Sequence, residues 1–277
     1  MQTELQPTPR SQGTLLVAVV AVALAVSGCF TRTIAERKGL SGWFQASTER
    51  FAPAGFDYPG CPVLSGDASK PIVVLVHGIG GEGPEMASSV PLLRGWDVFM
   101  LRWVPYDDRD SVSQRLADGL TRLSACAPER RLLMVAHSAG GVVASHAASR
   151  VKLVGSATLD VWTVASPLAG TVRRAGNADG RAEAVLFLDL GSRITQYPVA
   201  ARGVSVKHLR TSAPADHIMA PSGDLLPNDP TIGVPGAPQL DLPGGLSHGD
   251  ALVWVVGQLS RGEAGLWLTP TQVAELP

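Results

Sequence analysis

A serine hydroxyl becomes a useful nucleophile when it projects from a tight, strained turn toward a base, and residues 134–141, MVAHSAGG, present Ser138 in such surroundings. Leu132, Leu133, Met134, Val135 and Ala136 form a short apolar run without helical periodicity, which suits a strand buried on both faces of a parallel sheet. After the serine, small and apolar residues continue to Arg150 and read as a helix whose first turn carries almost no side-chain bulk. Strand, serine, helix is the order of a nucleophile elbow. Ala136 and Gly140 stand two residues to either side of Ser138, where small residues let strand and helix approach closely. The usual pattern has Gly at both places, so Ala136 departs from it by one methyl group. On this stretch alone, a serine that merely caps a helix accounts for the pattern equally well.

A second stretch, residues 71–81, PIVVLVHGIGG, is another buried-strand run and ends in a glycine-rich turn. Such a turn has the backbone freedom to aim a main-chain N–H at the point where an ester carbonyl oxygen becomes negative. A donor so placed is worth about 3 kcal/mol of transition-state stabilisation.

The pair VLVHGIGG and MVAHSAGG, followed by Val164-Ala165-Ser166-Pro167-Leu168-Ala169-Gly170, resembles the α/β-hydrolase superfamily, and within it the bacterial lipases and the GPI inositol-deacylase-like esterases. The resemblance runs from about Lys70 to Leu259. It implies an α/β fold with a central, mostly parallel sheet, helices on both faces, a small cap insertion at about residues 168–202, and a triad in the order serine, acid, histidine. By analogy with lipases, the oxyanion donors are the N–H groups of Ile79 and Ala139. The implied chemistry is cleavage of a carboxylic ester, lipid or soluble, through an acyl-enzyme. The competing class is a non-catalytic, envelope-anchored binding or scaffold protein on the same fold.

The base must come from six histidines. His77 belongs to the glycine turn, and His137 precedes the nucleophile, where alternation along an extended segment turns its side chain away from Ser138. His146 lies within the helix and His208 within a strand. Of the two in loops, His217 and His248, only His248 follows the last candidate strand, in LSHGD, and it is the expected base. For the acid, Asp216 follows the strand Val204 to Arg210 in a loop that resembles the lipase segment where an aspartate orients the histidine ring. Its competitors are Asp189, within an apolar stretch of the cap, and Asp224, in a glycine turn.

No metal or organic cofactor is expected: the histidines lack a compact spacing such as HExxH, and no GxGxxG follows a strand. A net charge of −1 gives no reason to expect nucleic acid as a partner, and 277 residues with 45% hydrophobic content are enough to bury one substantial core.

The N-terminus reads as an address. Leu15 to Val26 has the size of a signal-peptide h-region, and it runs into Val26-Ser27-Gly28-Cys29, which resembles a bacterial lipobox. Residues 1–28 are then a signal peptide, and Cys29 carries acyl chains that hold the protein at a membrane of the bacterial cell envelope. Residues 29–69 read as a tether and N-terminal extension, and residues 70–277 as the hydrolase domain. Export to an oxidising compartment favours a disulfide between the remaining cysteines, Cys61 and Cys126.

The elements that must position the chemistry are strands at Ile72–Val76, Asp97–Val104, Leu132–Ala136, Leu159–Ala165, Val204–Arg210 and about Gln239–Leu242, with helices at Val112–Ser124, Gly140–Arg150 and Asp250–Leu259. Alternation of strands and helices predicts a parallel sheet. Within the tether, Ile34 to Arg37 together with Trp43-Phe44 suggests a short amphipathic helix before Pro53, Gly55, Pro59 and Pro62 break it.

Overall fold

The apolar runs become neighbouring strands whose alternate side chains feed two separate cores. A computed structural model describes residues 42–46, 51–54, 60–78, 86, 88–103, 108–168, 201–211 and 239–261, all within a unit that extends over Gly42–Pro277. Its strands are β1 (Gly42–Ala46), β2 (Phe51–Pro53), β3 (Ile72–Val76), β4 (Asp97–Arg102), β5 (Arg131–His137), β6 (Thr158–Val164), β7 (Val204–Arg210) and β8 (Gln239–Asp241). The helices are α1 (Arg109–Cys126), α2 (Ala139–Ala148) and α3 (His248–Arg261), with a 3-10 turn at Val90–Leu93.

The strand order is β2-β1-β4-β3-β5-β6-β7-β8. Neighbours from β4 through β8 are parallel, and β1 is antiparallel to both β2 and β4. From β3 the chain first steps outward to β4 and then crosses back to β5 on the other side. The strand order therefore reverses between β3 and β5, and the crevice beyond the carboxyl ends of these two strands is where open α/β sheets take their ligands. Residues His77-Gly78 and Ser138 follow directly at those two strand ends.

Every residue of β3 is fully buried, and the pleat sends them alternately to the two faces. Ile72, Val74 and Val76 join Leu132, Met134, Leu159 and Val161 beneath α1 and α2. Val73 and Leu75 join Leu133, Val135, Trp162 and Val164 beneath α3, which contributes Leu252, Val255, Val256 and Leu259. Covered thus on both faces, mostly parallel, and reversing at β3, the sheet has the α/β-hydrolase fold.

Helix α1 starts at Arg109, three residues before the expected Val112, because Asp108 caps it: its carboxylate accepts from the N–H of Ser111 at 2.9 Å. Val112, Leu116, Leu120 and Leu123 then line one face at helical spacing and are fully buried.

The segment around Trp43 is a correction. Instead of contributing to a helix in a loose tether, Gly42–Ala46 is a strand that pairs with β4, and Phe51–Pro53 pairs with it in turn. The physical reason is a notch in α1. A Cβ on Gly119 would fall 2.1 Å from Cζ2 of Trp43, so the absent side chain leaves room for the indole to be buried there, while the backbone of β1 satisfies the edge of β4. The sheet therefore begins well before residue 70. The expected helical residues 34–37 lie outside the described residues.

The stretch before β3 is fastened to the body by covalent and polar links. Cys61 is bonded to Cys126 at the end of α1, with Cα atoms 5.6 Å apart. By loop-closure entropy, a link across 65 residues restricts the unfolded chain by about 4 kcal/mol. Ser65 donates to the Asp97 carboxylate from its N–H at 3.1 Å and its hydroxyl at 2.9 Å, and the buried Arg130 pairs with the same carboxylate at 2.7 Å. Burial pushes the Asp97 carboxyl up, but the Arg130 and Ser65 hydrogen bonds outweigh it and hold the group below its ordinary value.

His208 of β7 is 3% exposed, and its Nδ1 lies 2.8 Å from the Thr163 hydroxyl of β6. Burial, aided by the Arg210 charge, lowers its pKa from 6.5 to about 4. Because the folded value lies below the unfolded one, the unfolded chain binds the extra proton between these limits. Stability is therefore complete above about pH 6.5 and is lost as pH falls toward 4. This group alone should remove about 2 kcal/mol between pH 7 and pH 5. Urea unfolding at the two pH values should show that loss in the wild type and its disappearance in His208→Gln; equal pH dependence in the two proteins would contradict the assignment.

Candidate active site

The local structure around Ser138 follows from what its neighbours lack. Ser138 joins β5 to α2 with φ 55° and ψ −129°, a left-handed backbone that a residue with a Cβ rarely adopts. Such a conformation costs on the order of 1–3 kcal/mol and persists only where surrounding bonds over-determine it. Here the Ser138 N–H donates to the Val164 carbonyl at 2.9 Å, and the Ser138 carbonyl accepts from the Gly141 N–H at 2.9 Å. The hydroxyl itself makes no capping bond to α2. Helix capping, the alternative left open by the sequence, is thereby excluded, and the partly exposed side chain stands at the positive end of a ten-residue helix.

Glycine permits the turn by proximity. A Cβ on Gly140 would lie 2.5 Å from the carbonyl oxygens of both Val76 and His77, so α2 rests directly on the backbone at the end of β3. A Cβ on Gly141 would meet the Ser166 hydroxyl at 1.9 Å. The glycine turn after β3 closes on the serine from the other side, where a Cβ on Gly78 would fall 2.7 Å from Cβ and 3.2 Å from Oγ of Ser138. The two stretches read from sequence are thus brought together, backbone against hydroxyl. Ala136, the departure from the double-glycine pattern, is fully buried in the core beneath α1 and α2.

His77 holds the glycine turn in place and is buried. Its Nε2 accepts from the Trp103 N–H at 3.1 Å, which leaves the ring hydrogen on Nδ1, 2.8 Å from the Gly78 carbonyl. The indole of Trp103 donates to the His77 carbonyl at 3.0 Å and stacks on the imidazole with ring centroids 5.3 Å apart.

The expected base, His248, is the first residue of α3 and is buried. It packs against His137, the last residue of β5. The Nε2 of His137 lies 2.9 Å from the His248 carbonyl oxygen, and the two rings approach to 4.6 Å between centroids at 46°. The alternation that turns the His137 side chain away from Ser138 gives no sign of its contact with His248. The position of His137 at the carboxyl end of a buried strand was the one signal available. Of the other histidines, His146 stands in the last turn of α2, with burial lowering its pKa, and His208 is enclosed between β6 and β7.

Ala139 is the buried first residue of α2, next to Ser138. Ile79, Asp216, its competitors Asp189 and Asp224, His217, Cys29 and most of the expected cap at 168–202 lie outside the described residues. Among the described residues no group of three or more His, Cys, Asp or Glu is placed to hold a metal ion.

No protein-family model and no curated protein matches the chain. Solved structures do match in outline. A lipase-esterase related protein from Clostridium acetobutylicum has 10% identity and a TM-score of 0.43, covering 80% of this chain and 98% of its own. The NocB thioesterase domain has 21% identity and a TM-score of 0.43, covering 68% and 95%. A hydrolase from Oleispira antarctica has 11% identity and a TM-score of 0.42, covering 70% and 90%.

The contact at Gly140 can be tested without reference to activity. Gly140→Ala must push α2 off the β3 carbonyls and should cost about 1–3 kcal/mol, seen as a lower urea midpoint. Gly249→Ala, where a Cβ would meet nothing within 4 Å, should be neutral or slightly stabilising as helical Gly→Ala changes are. An unchanged midpoint for Gly140→Ala would show that the helix does not sit on the strand end.

Proposed function

We propose that this chain is a serine hydrolase of carboxylic esters, with Ser138 as nucleophile, His248 as base and Asp216 as the acid that orients it. The observation that carries the reading is the strained, non-capping Ser138 with the Gly78 backbone against its side chain at the reversal point of the sheet. In the first step Ser138 Oγ attacks the ester carbonyl carbon while His248 takes the hydroxyl proton. The negative oxygen is received by the N–H groups of Ile79 and Ala139. Collapse of the tetrahedral intermediate breaks the bond to the alcohol, whose oxygen takes the proton from His248. Water, deprotonated by the same imidazole, then releases the acid and restores Ser138.

Labelling by a fluorophosphonate and hydrolysis of a p-nitrophenyl ester series test the assignment together. Ser138→Ala should abolish both in a folded protein, and His248→Ala should lower kcat by on the order of 10⁴-fold or more. Asp216→Asn should hurt by a similar or smaller factor, and Ser138→Ala combined with His248→Ala should be little worse than Ser138→Ala alone, because a unit lost once cannot be lost twice. Full esterase activity in Ser138→Ala would end the reading. A folded wild type inert to every ester and to the probe would favour a binding or scaffold role.

The proposed setting is the bacterial envelope, with acyl chains on Cys29 holding the domain at a membrane. Support comes from the lipobox-like VSGC after an apolar run. Among the described residues no helix is long and apolar enough to cross a membrane. Fractionation of cells expressing Cys29→Ser should find the protein released while ester hydrolysis is unchanged; wild-type protein that is soluble and carries no acyl chain would remove the anchor.

A further inference from the structure

Resting on the triad reading above, we propose that His137 is a positioning residue that fixes the base-bearing end of α3 to the nucleophile elbow. Helix α3 is held on the sheet by Leu252, Val255, Val256 and Leu259, an apolar stripe that tolerates small shifts because burial has no preferred direction. The start of α3 is shaped locally by Ser247, whose hydroxyl donates to Asp250 at 2.5 Å and accepts from the Asp250 N–H at 3.2 Å. Neither feature sets where the first turn lies relative to Ser138.

The His137 bond does. It joins residues 111 apart in sequence, and its acceptor is the main chain of His248 itself. Because a carbonyl can only accept, Nε2 of His137 carries the hydrogen and donates it, and a bond of 2.9 Å constrains both distance and angle. His137 is covalently next to Ser138, so the bond refers the base to the nucleophile across a single peptide unit. The tilted ring contact at 4.6 Å adds a wall that limits rotation of the His248 imidazole. A displacement of about 1 Å in such a pair is enough to cost on the order of 10²-fold in rate.

Donor and ring can be separated by substitution. His137→Phe keeps an aromatic ring and loses the donor; His137→Gln loses the ring and keeps an N–H at nearly the Nε2 position; His137→Asn has a donor too short to reach. The rate of inactivation by a fluorophosphonate and the kinetic constants for a p-nitrophenyl ester are measured for each, with Ser138→Ala as reference and a thermal melt to count folded protein. His137→Phe and His137→Asn should lose 10- to 100-fold in kcat and in inactivation rate with KM within about twofold, and His137→Gln should recover most of the loss. A packing role would instead lower the melting temperature and leave kcat per folded molecule intact. If His137→Phe does not fold, the contrast between Gln and Asn decides. Wild-type rates in both His137→Phe and His137→Asn, or equal loss in Gln and Asn, would overturn the proposal while leaving the triad standing. A wild type that the probe does not label at Ser138 would overturn the triad and this inference with it.

Discussion

The contact between Gly140 and the carbonyl oxygens of Val76 and His77 sets the geometry on which the rest of the site depends. Side chains normally hold a helix and a strand apart. At the elbow the hydrogen of Gly140 replaces a side chain, and the first turn of α2 drops onto the end of β3. Only then can the turn after β5 be short enough to force Ser138 into φ 55°, and only then does the backbone after β3 reach the serine side chain at Gly78. The same short distance places the serine at the helix N-terminus, where the partial positive charge of the unpaired N–H groups is greatest.

Strain at Ser138 is matched by strain one strand away. Ala165, just past the end of β6, has φ 47°, and its N–H donates to Leu209 at 2.9 Å. That turn carries the buried Ser166 under Gly141, so close that any larger residue at 141 would collide with its hydroxyl. Two adjacent strand ends thus hold unfavourable backbone conformations, each tied by a main-chain bond to the next strand of the sheet. The strain is sustained by the parallel ladder from β5 to β7, in which Leu132–His137 of β5 and Val161–Val164 of β6 are buried on both faces and have no low-energy way to yield.

How much of this was legible follows from the range over which each constraint acts. Buried parallel strands announce themselves as unbroken apolar runs, so β3 and β5 lie within a residue of their expected limits. Ser138 was legible because the small residues that the turn requires are its own neighbours. Strand β1 was not. Only Trp43 among its five residues is buried, and its partner is a gap in a helix some 76 residues on, which no local pattern encodes. The contact of His137 with His248 failed for the same reason: alternation along a strand says which way a side chain departs, and nothing of which distant helix start will be waiting there. Asp216 and Ile79, which lie outside the described residues, rest on resemblance alone, since an acid or an oxyanion donor carries no periodic signal of its own.

The two kinds of interaction in this fold have different reach. Apolar layers on either face hold the sheet and its helices with no directional preference, so by themselves they would leave the strand ends free to shift by fractions of an ångström. The directional bonds are found where that freedom would matter. Trp103, leaving β4, grips both the ring and the carbonyl of His77, and thereby fixes the turn that faces Ser138. His137, leaving β5, grips the carbonyl of His248. Each bond crosses between elements at the carboxyl edge of the sheet, and each involves a buried imidazole whose protonation pattern is set by its partner: Nε2 accepts in His77 and donates in His137. A buried ring that can be either donor or acceptor is suited to this task, because the same side chain can satisfy whichever main-chain group the local turn presents beside Ser138.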